Sequence, residues 1–179
     1  MSYSPIGLAR DARPAGFHVA ESQVVVGNGP AVFDRAVQLL ANWRPFDLGW
    51  AGVYPRDAPV TPGTTVAVLA RHLGFWSVHA CRIVYALDAG DLSGPEARST
   101  SKVAGFAYGT LTDHAETGEE IFAVSMEASS GVVSYGIRAV SRERAVLARL
   151  GAPVARAFQA RFRRDSLAAM QRHLGSPSR

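Results

Sequence analysis

The chain has 179 residues, 47% of them hydrophobic and 19% charged, so it can bury a substantial core and is too apolar for a disordered protein. No apolar run approaches the roughly 20 residues that span a bilayer, and the N-terminal residues lack an export pattern, so we expect one domain, residues 1–179, in the cytoplasm. The net charge of +4 comes mainly from scattered arginines without a zinc spacing or an RNA-binding motif, which argues against nucleic acid as a partner.

A strand and a helix are the first regular elements predicted. Residues 1–16 contain two prolines and two glycines and read as an irregular lead-in, and residues 17–26 then form a β-branched strand. The strand stops at residues 27–30, Gly-Asn-Gly-Pro, and Pro30 suits the first position of a helix over residues 30–43. The glycines resemble part of a dinucleotide-binding loop, but no second strand and helix follow, so we expect no cofactor.

Six short strands are predicted after this helix. They cover residues 48–54, 64–72, 76–88, 103–111, 119–126 and 132–140. Turn-forming residues separate the strands, and no long helical pattern interrupts them. Parallel neighbours would need crossovers of a dozen or more residues, so strands with these short loops predict an antiparallel sheet.

Two helical segments are predicted at the end of the chain, over residues 141–150 and 153–174, with a break at Gly151-Ala152-Pro153. The second segment carries an apolar stripe made of Val154, Phe158, Phe162, Leu167, Met170 and Leu174. Arg161, Arg163 and Arg164 lie mostly off this stripe, which predicts a solvated face, with an anionic membrane surface as the alternative.

The order of the elements indicates how the sheet is covered. A single sheet leaves an apolar face uncovered, and a long amphipathic helix after the last strand can cover it. The large alternating residues of three strands are therefore expected to face this helix: Ile83, Tyr85, Leu87, Phe106, Tyr108, Val133, Tyr135 and Ile137. This α+β layout resembles the helix-grip architecture of START-like lipid-transfer and birch-pollen-allergen proteins. There, a curved antiparallel sheet wraps around a long C-terminal helix and leaves a cavity.

Several motifs narrow this resemblance. They lie at residues 27–36, 43–50, 81–85, 105–111, 114–120 and 151–154, and at Gln159. Together they resemble, nearly from end to end, the uncharacterised family called domain of unknown function 1990. Thr112 and Ala115 stand where that family usually has proline. The resemblance implies the helix-grip fold. Because the family has no settled activity, the resemblance does not imply a particular function.

A polar turn gathers most of the chemically active side chains. Asp113, His114, Glu116, Glu119 and Glu120 fall within eight positions. Such a set can position a general base or bind a divalent cation, but an acidic hairpin paired with arginines such as Arg82 or Arg138 has the same pattern. We rank the structural role first, acid–base chemistry second and a metal third, and we expect no metal site.

Hydroxyl groups inside an apolar pocket are expected from Tyr108 and Thr110, which share a strand face with Phe106. The full predicted ligand-binding set is Tyr108, Thr110, Phe106, Arg82, Tyr85, Tyr135, Phe158 and Phe162. Strand alternation leaves open whether Arg82 faces the cavity. We expect Cys81 to be a buried, inert thiol. Trp43, Trp50, Phe75 and Trp76 are expected in the core, and His72 and His79 are expected to be structural rather than ligating.

Three functions remain open from the sequence. The first is binding of a small apolar, lipid-like or polyketide-like molecule. The second is a cyclase, dehydratase, isomerase or hydrolase that uses the same pocket, with His114 or Glu116 as the acid–base group and Tyr108 orienting the substrate. The third is an arginine-rich interaction or membrane-surface module without integral membrane association. The sequence does not indicate whether the protein is a monomer or an oligomer.

Overall fold

A seven-stranded antiparallel sheet, curled into a half-barrel, forms most of this computed structural model. The structure describes residues 1–10, 14–72, 74–87, 100–111, 116–143 and 146–175. The strands are β1 His18–Asn28, β2 Ala51–Tyr54, β3 Thr65–His72, β4 Phe75–Leu87, β5 Thr100–Thr110, β6 Glu116–Glu127 and β7 Val132–Glu143. The helices are α1 Pro30–Ala41 and α2 Val146–Gly175, with short 3₁₀ helices at Leu8–Arg10 and Arg44–Phe46.

The strand order β1-β7-β6-β5-β4-β3-β2 confirms the predicted antiparallel sheet. From β2 to β7 each strand pairs with the next along the chain, as short connections require, and β1 returns to pair with β7. Helices α1 and α2 pack on one face of this sheet, which we call the inner face. The opposite side is the outer face.

Helix α1 begins at Pro30, as predicted, after Gly29, whose backbone φ of 89° favours glycine. It ends at Ala41, two residues before the predicted end at Trp43. Trp43 instead adopts a left-handed backbone conformation and caps the 3₁₀ helix Arg44–Phe46. This turn places Trp43 and Phe46 in the core, with ring centroids 5.0 Å apart.

An aromatic cluster joins the sheet to α2. Phe122 lies at its centre, with its ring centroid 4.9 Å from Phe46, 5.4 Å from Phe106 and 5.2 Å from Tyr108. From α2, Phe162 reaches within 5.3 Å of Phe46 and 6.4 Å of Phe122. The predicted packing of the terminal helix on the sheet is therefore observed.

The predicted break before the last helix is wrong. Helix α2 continues through residues 151–153 as a single helix of 30 residues, and residues 141–143 belong to β7. The fixed φ of proline is itself helical, so Pro153 removes one backbone hydrogen bond without ending the helix.

A β-bulge in β4 corrects a second expectation. Ile83 lies opposite Tyr108, but Tyr85 lies opposite Ala107 and Leu87 opposite Gly105, because the register shifts between Ile83 and Tyr85. Paired residues share a face and successive residues of β5 alternate, so Ile83 is on the inner face while Tyr85 and Leu87 are on the outer face. The alternation of apolar residues along the sequence does not show that a bulge adds one residue to this strand.

Two residues expected in the core are exposed. Phe75 is 74% exposed and Trp76 is 56% exposed. They pair with His72 and Arg71 at the tip of the β3–β4 hairpin, away from the aromatic cluster. The prediction that these two large side chains are buried is therefore wrong, because they lie at the hairpin tip and not against the core.

Candidate functional site

A cavity of about 280 Å³ lies between the inner face of the sheet and α2, and it is partly open to solvent. Its apolar wall includes Trp50, Val68, Cys81, Phe158 and Phe162. Its polar lining includes Ser77, His79, Tyr108, Thr110, Glu120 and Gln159. The helix supplies Phe158, Gln159 and Phe162 because these positions, three and four residues apart, share one helical face.

Tyr108 and Glu120 form a hydrogen-bonded pair in the cavity wall. They are cross-strand partners in β5 and β6, and the Tyr108 hydroxyl donates to Glu120 Oε2 at 2.8 Å. Burial and the neighbouring Glu120 charge raise the pKa of Tyr108 well above its ordinary value. The hydroxyl therefore stays protonated, and the pair offers the cavity a carboxylate held by a permanent donor.

His79 and Ser77 add a second polar pair on β4. They are two residues apart on the inner face, and Ser77 Oγ lies 2.8 Å from His79 Nε2. His79 was expected to be structural, and its alternation with Cys81 was the available signal that it shares the cavity-lining face. The ring has both a hydrogen-bonded partner and access to the cavity.

Glu119 faces the other way and fastens the N-terminal segment, residues 1–10, to the sheet. Its carboxylate, 3% exposed, accepts hydrogen bonds from the Tyr3 hydroxyl at 2.6 Å and the Tyr85 hydroxyl at 2.5 Å. It also accepts from the backbone N–H groups of Gly7 at 3.0 Å and Ala9 at 3.1 Å. Burial and the bond to Glu119 raise the pKa of both tyrosines, so both remain donors.

The predicted ligand-binding residues fall into three groups. Tyr108, Thr110, Phe158 and Phe162 line the cavity. Phe106 and Tyr135 lie in the buried core, where the Tyr135 hydroxyl is 3.1 Å from Ser166 Oγ.

Arg82 and Tyr85 lie on the outer face, away from the cavity. Arg82 pairs with Gly109, a neighbour of the inner-facing Tyr108, and its Nε donates to Thr65 Oγ1 at 3.2 Å. Of the predicted catalytic set, Tyr108 is in the cavity wall. His114 lies outside the described residues, and Glu116 is described through its backbone alone.

A family model decides the relationship of this chain to known proteins. The model described as "Domain of unknown function (DUF1990)" matches residues 2–169. The chain belongs to this family. It is similar to the UPF0548 protein of Dictyostelium discoideum, with 34% identity over 172 residues covering 93% of this chain and 77% of the relative. The UPF0548 protein of Deinococcus radiodurans is 31% identical over 173 residues, 89% of this chain and 80% of the relative.

The DUF1990 chain also has a structural relative. A hypothetical protein from Helicobacter pylori matches it with a TM-score of 0.54 and 12% identity, covering 88% of this chain and 87% of the other. This likeness concerns the fold alone. The curled sheet and the long C-terminal helix are the helix-grip arrangement that the sequence predicted.

No set of three or more His, Cys, Asp or Glu side chains that could hold a metal is found among the residues that the structure describes in this DUF1990 protein. Asp113 and His114, which belong to the predicted acidic turn, lie outside those residues. Within the cavity, carboxylate, hydroxyl, imidazole and amide groups can exchange hydrogen bonds with a ligand.

Cys81 is expected to resist alkylation in the folded protein. Burial, with the nearby Glu120 charge, raises the pKa of its thiol to about 12. The reactive thiolate is then on the order of 1 in 10⁴ of the population at pH 8. Intact-mass analysis after iodoacetamide treatment should show unmodified native protein and fully modified protein in guanidinium. Similar rates in both states would contradict the assignment of an inert thiol.

Proposed function

We propose that this DUF1990 protein binds a small, largely apolar molecule in the cavity between the sheet and α2. The observation that carries the proposal is the combination of apolar walls with a few converging polar groups in a partly open cavity. Its volume of about 280 Å³ lies near the lower end of the roughly 300–1,000 Å³ typical of ligand pockets. The ligand is therefore expected to be compact.

The apolar and the polar side chains that line the cavity contribute differently to ligand binding. Trp50 and Phe158, with ring centroids 6.5 Å apart, and Phe162 offer aromatic surface to the apolar body of a ligand. The Tyr108–Glu120 and Ser77–His79 pairs offer polar atoms that fix its orientation. Binding removes apolar surface from water, which supplies the affinity, and the polar pairs supply the selectivity.

Filling the cavity should abolish retention of the ligand. Ala139 lines the cavity opposite Glu120, so Ala139→Trp puts an indole in the space that the ligand needs. Native mass spectrometry of protein purified from its own host should detect a bound small molecule in the wild type and at least about tenfold less in the variant, since the filled volume removes the site.

The matched control is Val78→Trp, because Val78 is 66% exposed and lies on the outer face of the same sheet. This variant should retain the molecule like the wild type. A second cavity variant, Ala70→Phe, serves if Ala139→Trp does not fold, as judged by circular dichroism. A wild type without any bound molecule, or a folded cavity variant that retains as much as the wild type, would refute the proposal.

An enzyme in the same cavity is the second candidate. The Tyr108–Glu120 pair favours it, because the Glu120 carboxylate can accept a proton from a bound substrate while the Tyr108 hydroxyl, as a fixed donor, orients that carboxylate. The acid–base roles of His114 and Glu116 stay predictions. Conversion of the retained molecule by the wild type, and its loss in Tyr108→Phe, would distinguish a catalyst from a carrier.

Two arginines of helix α2 have contacts within the chain. Arg161 and Arg164 both pair with Asp165, and the Arg161 guanidinium lies 4.2 Å from the centre of the Trp50 ring. Within the described residues we find no helix with the length and hydrophobicity that crossing a bilayer demands. A membrane-surface role stays a prediction, which binding to anionic liposomes would test.

A further inference from the structure

The outer face of β2, β3 and β4 carries exposed apolar side chains. Helices α1 and α2 pack on the inner face of the sheet. The N-terminal segment covers the outer face of the neighbouring strands, where Tyr3 lies against Gly109 of β5 and donates to Glu119 of β6. We call the exposed surface beside it the hairpin face, and its members are Tyr54, Leu69, Arg71, Trp76, Val78 and Arg82.

Strand alternation and pairing place these side chains together. Ser77 and His79 line the cavity, so the residues that alternate with them in β4 point outwards. The outer cross-strand pairs, starting at the tip of the β3–β4 hairpin, are Arg71 with Trp76, Leu69 with Val78, Ala67 with Ala80 and Thr65 with Arg82, and Tyr54 of β2 lies opposite Ala67. The hairpin face is therefore an aromatic and aliphatic surface with an arginine at each end.

The hairpin face is positively charged. No aspartate or glutamate occurs in β2, β3 or β4, so the fixed charges that these three described strands place there are the exposed Arg71 and Arg82. Trp76, the partner of Arg71, is six residues from Arg82, which separates the two arginines by about 20 Å. A second copy of the chain stacked on this surface would bring only guanidinium charges of these strands together, which disfavours self-association.

An anionic bilayer surface matches this combination of side chains. Tryptophan and tyrosine prefer the interface between membrane and water, where the ring is in an apolar layer and the polar atom is hydrated. Arginine lays its apolar stem along such a surface and keeps its charge at the level of the lipid phosphates. Single-stranded nucleic acid fits less well, because it needs a continuous basic groove and stacking rings, whereas Leu69 and Val78 form the centre here.

We propose that the hairpin face binds an anionic lipid surface, with Tyr54, Trp76 and Val78 in the headgroup region and Arg71 and Arg82 against lipid phosphates. This surface is distinct from the arginines of α2 discussed above. The inner side of the same hairpin lines the cavity, so binding brings one cavity wall within the thickness of the sheet from the bilayer. The proposal goes beyond ligand binding and does not depend on it.

Co-sedimentation of the full chain with lipid vesicles tests the proposal. The protein should bind phosphatidylcholine vesicles that contain about 30% phosphatidylglycerol at least about tenfold more tightly than pure phosphatidylcholine vesicles, and added salt should weaken this binding. The double variant Trp76→Ser, Val78→Ser should lose at least about tenfold in affinity, because it removes the apolar contact. Arg71→Gln should lose about fivefold, since it removes one charge from the contact.

Two matched controls locate the contact. Val25→Ser changes a valine of β1 that is 58% exposed, close to the 66% of Val78, and Arg164→Gln changes an exposed arginine of α2. Both variants should bind within about twofold of the wild type, because a charge farther than about 10 Å from the lipid is largely screened. Tryptophan emission should shift to shorter wavelengths when the wild type binds, and Trp76→Phe should bind without this shift.

Four results would overturn the proposal. They are no preference for the anionic vesicles at low salt, unchanged affinity in the folded double variant, a loss in Arg164→Gln as large as in Arg71→Gln, and a dimer in sedimentation experiments that the double variant converts to a monomer. The last result would assign the hairpin face to a second copy of the chain. Circular dichroism of each variant establishes that it is folded.

Discussion

Replacing Glu119 with alanine is expected to lower the free energy of unfolding by about 4 kcal/mol and to release the N-terminal segment. The carboxylate accepts four hydrogen bonds, two from tyrosine hydroxyls and two from backbone N–H groups. Hydrogen bonds to a charged group are worth about 1.5–3 kcal/mol each, and donors left buried without an acceptor add a desolvation cost. The expected loss of stability is smaller than the sum of these contributions, because the donors of the released segment form hydrogen bonds with water instead.

Urea unfolding measures the loss in stability, and hydrogen exchange of residues 1–10 measures the release. Tyr3→Phe removes one of the four donors, so it should cost about 1–2 kcal/mol and loosen the same segment less. Glu127→Ala, an exposed glutamate on the same strand, should change stability by less than about 0.5 kcal/mol. A loss below about 1 kcal/mol in Glu119→Ala would contradict the role assigned to this carboxylate.

Phe122→Ala is expected to cost about 3–5 kcal/mol, because truncating a buried phenylalanine leaves a cavity that its neighbours fill incompletely. Phe122 is fully buried and contacts rings from the 3₁₀ helix, β5 and α2: Phe46, Phe106, Tyr108 and Phe162. Its removal therefore weakens the packing of the 3₁₀ helix Arg44–Phe46 and of α2 on the sheet.

Thermal and urea unfolding of Phe122→Ala and Phe75→Ala compare the loss in the free energy of unfolding at a buried and at an exposed phenylalanine. Phe75 is 74% exposed at the β3–β4 tip, so the same chemical change there should cost less than about 0.5 kcal/mol. Similar losses in the two variants would contradict the position of the core. Tyr135→Phe is a milder probe, expected to lose about 1 kcal/mol through its contact with Ser166.

The fold could be predicted from the sequence because local signals and element order agree. The GNGP stop after β1, the short loops between alternating strands and the long terminal helix together favour one antiparallel sheet with one covering helix. The helix-grip prediction is confirmed in this arrangement.

Side-chain orientation was harder to predict, since it depends on single-residue register. The bulge between Ile83 and Tyr85 reverses the face of every later residue of β4, which the alternating pattern cannot disclose. Adjacent Glu119 and Glu120 must face opposite sides of β6, but the sequence does not say which side carries the cavity. The pairing of β6 with β5 and β7 determines which of the two faces the cavity.

Long-range contacts also left no local signal. Tyr3 lies in the N-terminal segment, for which the sequence predicts no regular structure, yet its hydroxyl donates to Glu119, 116 residues away. His79 and Gln159 come from β4 and α2, and they meet in the cavity only through the tertiary fold. The candidate site could therefore be predicted as a region, with Tyr108 and Thr110 among its residues, and not as a complete set.

A crystal structure of the protein isolated from its own host, with no ligand added, tests the account most directly. We expect electron density for a compact organic molecule between Tyr108 and Phe162, within hydrogen-bond distance of the polar groups that line the cavity. A cavity closed by side chains, with Phe158 and Phe162 packed against the sheet and no room for a ligand, would contradict the account.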